Sequence, residues 1–345
     1  MTLSSLPSIA KFERVTKDQF LSEIVPLNRP ALLKGLVNEW PIVRASTESA
    51  DGFLNYLKSF HYIGKVEVVR ARAKENGFFT YNKRFSGFNF ERKNFEFSAF
   101  LEALAASAVN PQYATHSWQS AYIDDYFDGF LQQHPMPLLP DSVRPRIWIG
   151  NKTIVGVHQD DSDNIACAIA GKRRFTLFPP EQLENLYIGP LDKTPAGAPI
   201  SMVDFTQPDF EKFPRAKEAL ATASIAELEP GDAIYIPALW WHHVESLEGI
   251  NGLVNYWYSG ALDGAKSLAG LDSMLLARLT FAGMSPAVKA AWRNAFEYYV
   301  WSDNTNFEHI PEQLKGVLGD VSKQESQQII KWLASKLNHY ADEQA

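Results

Sequence analysis

Between residues 146 and 260 the chain breaks into short apolar runs separated by turn signals, and this rhythm constrains the fold more than any other feature. "RIWIG" (146–150), "TIVGVH" (153–158), "NIACAIA" (164–170), "RFTLFPP" (174–180), "SIAELEPGDAIYIP" (224–237) and "GLVNYWYSG" (252–260) carry the β-branched and aromatic residues of strands. "NK" (151–152) and "GK" (171–172) sit between them as turns. Short strands at this spacing predict a mainly β sandwich, jelly roll or barrel.

The flanks differ. "VTKDQFLSEIV" (15–25) has helical spacing with Thr16 as N-cap, "RPALLKGLV" (29–37) reads as a strand closed by Gly35, and "KVEVVRARA" (65–73) alternates like a half-buried strand. Residues 77–96 predict loop and hairpin, and "FSAFLEALAASA" (97–108) a helix. After Gly260 the period becomes helical over 267–284, 286–301 and 322–340, with Ser322 and Glu325 forming a capping box. The expected organisation is one domain over 1–260, with its core at 140–260, and a helical region over 261–345. The C-terminal helices carry broad apolar stripes, including Val288, Trp292, Phe296 and Tyr299, then Ile329, Trp332, Leu333 and Leu337. These exceed what a simple cap needs and predict a homodimer through an isologous helical contact.

Composition excludes several classes. The single cysteine, Cys167, permits no intrachain disulfide, and the first twenty residues lack an apolar signal segment. No apolar run reaches the roughly 18–20 residues of a membrane span. The expectation is a soluble cytoplasmic protein without a membrane partner. A formal net charge of −7 argues against nucleic acid as a partner.

The chemistry concentrates in "VGVHQDDSDNIACAIAGKRRFTLFPP" (155–180). Polar groups beside a segment built for burial cost several kcal/mol unless satisfied, and a metal ion satisfies them. His158 and Asp160, two apart on a strand and its exit, face one side. With one further histidine they make a 2-His-1-carboxylate triad, which suits non-haem Fe(II). "EPGDAIYIPALWWHHVES" (229–246) supplies two adjacent candidates, His242 and His243, of which strand alternation lets only one point inward. Trp240 and Trp241 read as packing.

The strings "HQD" with Asn164, "GKRRFTLFPP", "PGDAIYIPALWWHHVES" and "VNYWY" together resemble the jumonji-C, or cupin-8, family of Fe(II)- and 2-oxoglutarate-dependent oxygenases. The pattern is most similar to the family's asparaginyl hydroxylases that act on hypoxia-inducible factor. The match is dense over 140–260 and looser over "RPALLKGLVNEWP" (29–41). The resemblance implies a double-stranded β-helix, a cupin-like jelly roll with an N-terminal α/β lead and C-terminal helices. It implies His158, Asp160 and His242 as iron ligands, 2-oxoglutarate as cosubstrate, and Asn164, Arg173, Asn255 and Trp257 around the cosubstrate. The related asparaginyl hydroxylases also dimerise through C-terminal helices.

Two positions depart from the pattern. Arg173 stands where the family usually has a lysine for the distal carboxylate, and an arginine binds that group through a bidentate fork. Alternation places Arg173 with Phe175 and Leu177 on one face, and Lys172 and Arg174 on the other. Val155 stands where a threonine is common, so one hydroxyl contact is lost or moved to Thr153. Asp161 and Asp163 read as solvated loop carboxylates or as partners of a ligand. The function implied is oxidative decarboxylation of 2-oxoglutarate coupled to hydroxylation of a protein or peptide side chain. A small-molecule hydroxylase of the same chemistry, and a metal-binding cupin-like protein without oxygenase activity, stay open. Residues 60–130 are expected to shape the entrance.

Overall fold

The computed structural model describes residues 3–62, 64–82, 84, 86–110, 112–258, 270–302 and 307–343. The chain divides into two compact units, Met1–Gly264 and Ala265–Ala345. The expected boundary at 260/261 lies outside the described residues.

Among the described residues the first unit is built on fourteen strands. The lead contributes β1 (Ala10–Glu13), β2 (Ala31–Lys34), β3 (Lys65–Ala71), β4 (Phe78–Phe79), β5 (Phe90–Glu96) and β6 (Thr115–Tyr122). Eight more follow: β7 (Arg146–Gly150), β8 (Ile154–His158), β9 (Asp163–Ala170), β10 (Arg173–Phe178), β11 (Ser224–Leu228), β12 (Ala233–Ile236), β13 (Trp241–Ser246) and β14 (Asn251–Tyr258). They form a nine-stranded sheet, β1-β2-β12-β9-β14-β7-β6-β3-β5, and a five-stranded sheet, β11-β10-β13-β8-β4. The last eight strands therefore place four in each sheet, which is the double-stranded β-helix of a cupin-like jelly roll.

Burial explains why these strands read as apolar runs and not as alternating ones. The large sheet is covered on its outer face by the helices Pro41–Glu48, Ala50–Lys58 and Phe97–Val109, whose Ile42, Phe53, Leu57, Phe100 and Leu104 pack with Ile165, Cys167 and Ile169 of β9. Its inner face meets the small sheet through Ala166, Ala168, Phe175, Leu177 and Leu253. A strand buried on both faces has no polar side to show. The outer face of the small sheet is covered in turn by Val203, Phe205, Ala219 and Leu220.

The lead is tied to the jelly roll at one carboxylate. Asp232 accepts from Lys34 Nζ (2.7 Å) and Gly35 N (2.9 Å), beside the pairing of β2 with β12. The stretch 17–27 is helical with Thr16 capping Gln19 N, but passes through a π turn over Phe20–Ile24, which periodicity alone does not distinguish.

In the second unit the helices are Gly270–Phe281, Pro286–Phe296 and Lys323–Glu343. Ser322 and Glu325 form the capping box: Glu325 Oε2 accepts from Ser322 N at 3.0 Å and Ser322 Oγ accepts from Glu325 N at 3.3 Å. No helix among the described residues is long and apolar enough to cross a membrane.

Candidate metal centre

His158 ends β8 and His242 is the second residue of β13, and the antiparallel register of these strands sets the two residues directly opposite each other. Their ring centroids lie 4.2 Å apart. Asp160, just past the end of β8, brings Oδ2 to 3.6 Å from His242 Nε2. One ligand atom from each of His158, Asp160 and His242 lies within 4.8 Å of the others, close enough for a single ion.

The tautomers suit this role. His158 Nδ1 is 3.0 Å from the Gly156 carbonyl and His242 Nδ1 is 2.9 Å from the Trp240 carbonyl. A carbonyl only accepts, so each Nδ1 carries the proton and each Nε2 keeps a free lone pair. Burial, and then the neighbouring His158, push the His242 pKa down to about 4, although Asp160 works the other way. His242 is therefore a neutral imidazole, the form that binds metal. The Trp257 indole N–H donates to Asp160 Oδ2 at 3.0 Å and fixes that carboxylate. Trp257 is held in turn by the edge of Trp148 and by the Arg146 guanidinium over its ring.

The three residues open onto a cavity of about 540 Å³, which Asn164, Arg173, Asn255 and Trp257 also line. The Asn255 amide donates to Asn164 Oδ1 at 3.1 Å, while Asn255 Oδ1 is buried without a hydrogen-bond partner. Arg173 is 8% exposed, and its Nε is likewise buried and unpartnered. The carboxylates near it are engaged elsewhere: Glu229 pairs with Lys172 (3.0 Å), and Glu227 and Glu245 pair with Arg174 (2.7 and 3.5 Å). Burial without a counter-ion pushes the Arg173 pKa down to about 10. A buried guanidinium in that state calls for an anion from outside the chain.

The alternation expected along β10 is observed. Arg173 and Phe175 face the cavity, Lys172 is an exposed turn residue, and Arg174 lies with the carboxylates on the other face. His243 faces away from the metal cavity and is 1% exposed, with neither ring nitrogen hydrogen-bonded and Nδ1 4.0 Å from Glu245 Oε2. Burial pushes its pKa down to about 4. Val155 lines the cavity where the family commonly has a threonine hydroxyl, and Thr153 does not replace that hydroxyl, because its own pairs with Ser246 Oγ at 3.1 Å. Asp163 is not a solvated loop residue. It begins β9 and accepts from Ala238 N (3.0 Å) and Tyr235 Oη (3.3 Å), bracing the turn before β13. Trp241 is buried packing, as expected.

Several cavity residues carry no sequence signal. Gln119 and Ser120 reach it because β6 shifts register between Trp118 and Ala121, with Ser120 at φ 59. Thr194–Ala198 reach it from a long irregular connection after β10.

The donor set fits a 2-His-1-carboxylate ion, and the unpartnered Arg173 Nε, a donor, fits a carboxylate-bearing ligand beside it. A Cupin-like domain family model matches residues 17–264. JmjC domain-containing protein F of Dictyostelium discoideum is 26% identical over 295 residues, covering 71% of this chain and 59% of that protein. Lysine-specific demethylase JMJ31 of Arabidopsis thaliana is 24% identical over 309 residues, covering 79% and 54%. The tRNA wybutosine-synthesizing protein 5 of Danio rerio is 24% identical over 267 residues, covering 70% and 73%. The chain thus spans little more than half the length of the first two.

Proposed function

The chain belongs to the Cupin-like, JmjC-type family, whose enzymes use Fe(II) and 2-oxoglutarate, and on that premise we propose that it is an oxygenase hydroxylating a side chain of a protein or peptide. One observation carries the reading: His158, Asp160 and His242 converge beside a buried Arg173 that lacks an anion. Fe(II) with 2-oxoglutarate and dioxygen supplies the oxidising power, converting the 2-oxo acid to succinate and carbon dioxide while oxygen enters a C–H bond of the substrate.

The protein's own residues bind and orient. His158, Asp160 and His242 hold the metal, and the Trp257 N–H keeps Asp160 from rotating. Arg173 receives the distal carboxylate through its fork, and the Asn164–Asn255 pair offers amide groups to the cosubstrate. Phe175, Val244 and Leu253 make the cavity wall apolar and limit water. This chemistry needs no side-chain base, and Asp163 supports the backbone by accepting from Ala238 N. Relatives named as a lysine-specific demethylase and a tRNA wybutosine-synthesizing protein support a macromolecular substrate over a small molecule.

The test is anaerobic addition of Fe(II) and then 2-oxoglutarate to the metal-free protein. A metal-to-ligand absorption band should appear, and should be absent in His158→Ala, Asp160→Ala and His242→Ala. Metal binding without the band would favour a cupin-like metal binder that is no oxygenase.

A further inference from the structure

A second hollow, of about 940 Å³, adjoins the metal cavity and shares Phe88 and Phe90 with it. These two rings stack on each other, 5.2 Å apart and 6° from parallel, and Phe79 meets Phe90 edge-on. They form a continuous aromatic floor from the groove to the metal cavity. The groove walls are cationic. Arg70, Arg72, Lys74 and Arg84 line it against only two carboxylates, Glu75 and Glu91.

These charges are unevenly matched. Arg70 is committed to Glu91 at 2.7 Å, whereas Arg72 and Lys74 share Glu75 loosely at 3.8 and 3.9 Å. Arg84 is exposed and pairs with no carboxylate among the described residues. The segment 65–93 that builds this wall holds eight Lys and Arg against three Glu, in a chain of net charge −7. A local excess of positive charge against an acidic background is a directional field, concentrated at the entrance to one cavity.

Resting on the oxygenase reading, we propose that this groove holds the substrate on its way to the metal, and that the substrate is an acidic peptide segment with Asp or Glu flanking the reacting residue. Charge complementarity selects it: one or two carboxylates would engage Arg72, Lys74 and Arg84, while the aromatic floor takes an apolar neighbour. A lysine-rich segment meets like charge and is disfavoured. A nucleic acid is disfavoured too. Two uncompensated cations can meet one or two carboxylates but are far fewer than the roughly 6–10 phosphate contacts of such complexes. The facing surfaces of Phe88 and Phe90 are already occupied by each other.

The experiment uses the full-length protein and three fluorescein-labelled probes of about a dozen units: a pool of Asp/Glu-rich peptides with a varied central residue, a Lys-rich pool of the same design, and a single-stranded oligoribonucleotide. Anisotropy is read at low and high salt. The acidic pool should bind and weaken with salt, and the Lys-rich pool should not bind. The triple variant R72E/K74E/R84E should lose at least about tenfold in affinity for the acidic pool. The single variant R84E, at an exposed turn, should lose part of it without a change in thermal midpoint. Absence of acidic-pool binding, equal binding of both peptide pools, or unchanged affinity in the triple variant overturns the proposal. So does oligoribonucleotide binding that is tighter than the peptide's and abolished by the triple variant. The Fe(II)–2-oxoglutarate band should persist in the triple variant. Peptide binding without any such band would refute the oxygenase reading alone, whereas the band without peptide binding would refute the groove alone.

Discussion

Arg173 bears the largest single consequence among the site residues, because its charge is buried and its Nε has no internal partner. Arg173→Ala should raise the 2-oxoglutarate requirement by the equivalent of roughly 2–5 kcal/mol, the cost of losing a buried charge-assisted pair. Lys172→Ala, one residue away but exposed and paired with Glu229, should leave it unchanged; titration of cosubstrate into the Fe(II)-loaded protein compares the two. His243→Ala should spare Fe(II) affinity, since that ring faces away from the cavity, and iron titration against His242→Ala reads this. His134 reports pH. It is 1% exposed, with Nδ1 against Phe130 O and Nε2 accepting from Ile42 N, and burial pushes its pKa down to about 4. Its folded pKa lies below the unfolded value of about 6.5, so the stability it protects is full above that pH and is lost as pH falls toward 4. The loss should be about 2–3 kcal/mol, and His134→Gln should flatten the acid limb of a denaturation-midpoint curve. The candidate triad was legible because strand alternation sets H-x-D on one face and lets one histidine of the pair point inward, and the family resemblance singled out His242. Asp163 and Ser120 were not, because their roles come from a turn 75 residues away and from a register shift.

The element that positions Arg173 is the short crossover from β9 in the large sheet to β10 in the small one, which turns on Gly171. Its φ is +66°, and a Cβ there would lie 2.5 Å from both Asn251 Oδ1 and Ile250 O. Gly171→Ala should therefore cost about 1–3 kcal/mol and displace Arg173, lowering the thermal midpoint and cosubstrate affinity together. A substitution that lowered the first and not the second would show that the crossover tolerates its own distortion. The strands were legible as elements because a sheet covered on both faces must be apolar throughout, which "NIACAIA" announces. Their irregularities were not. The shift between His242 and Val244 follows from how β13 meets β8, and the π turn at Phe20–Ile24 follows from packing that no local period records.

Across the whole molecule, the apolar residues of the second unit are poorly covered. Among its described residues Phe307 is the one buried hydrophobic side chain, while Trp301, Trp332 and Tyr340 are 64%, 57% and 58% exposed. We propose that a second copy of the chain covers them. Light scattering of the full chain should give twice the 38.8 kDa protomer mass at micromolar concentration, and a chain ending near residue 265 should be monomeric yet still bind Fe(II). A monomeric full chain would refute this. The tie between Lys34 and Asp232 spans 198 residues of sequence and acts on time as well as shape. A ribosome adding roughly 5–20 residues per second releases β2 some ten to forty seconds before β12 exists to pair with it. Throughout that interval the N-terminal strands are an open edge in a crowded solution, so the yield of native protein depends on how long a nascent chain can be kept from pairing with its neighbours.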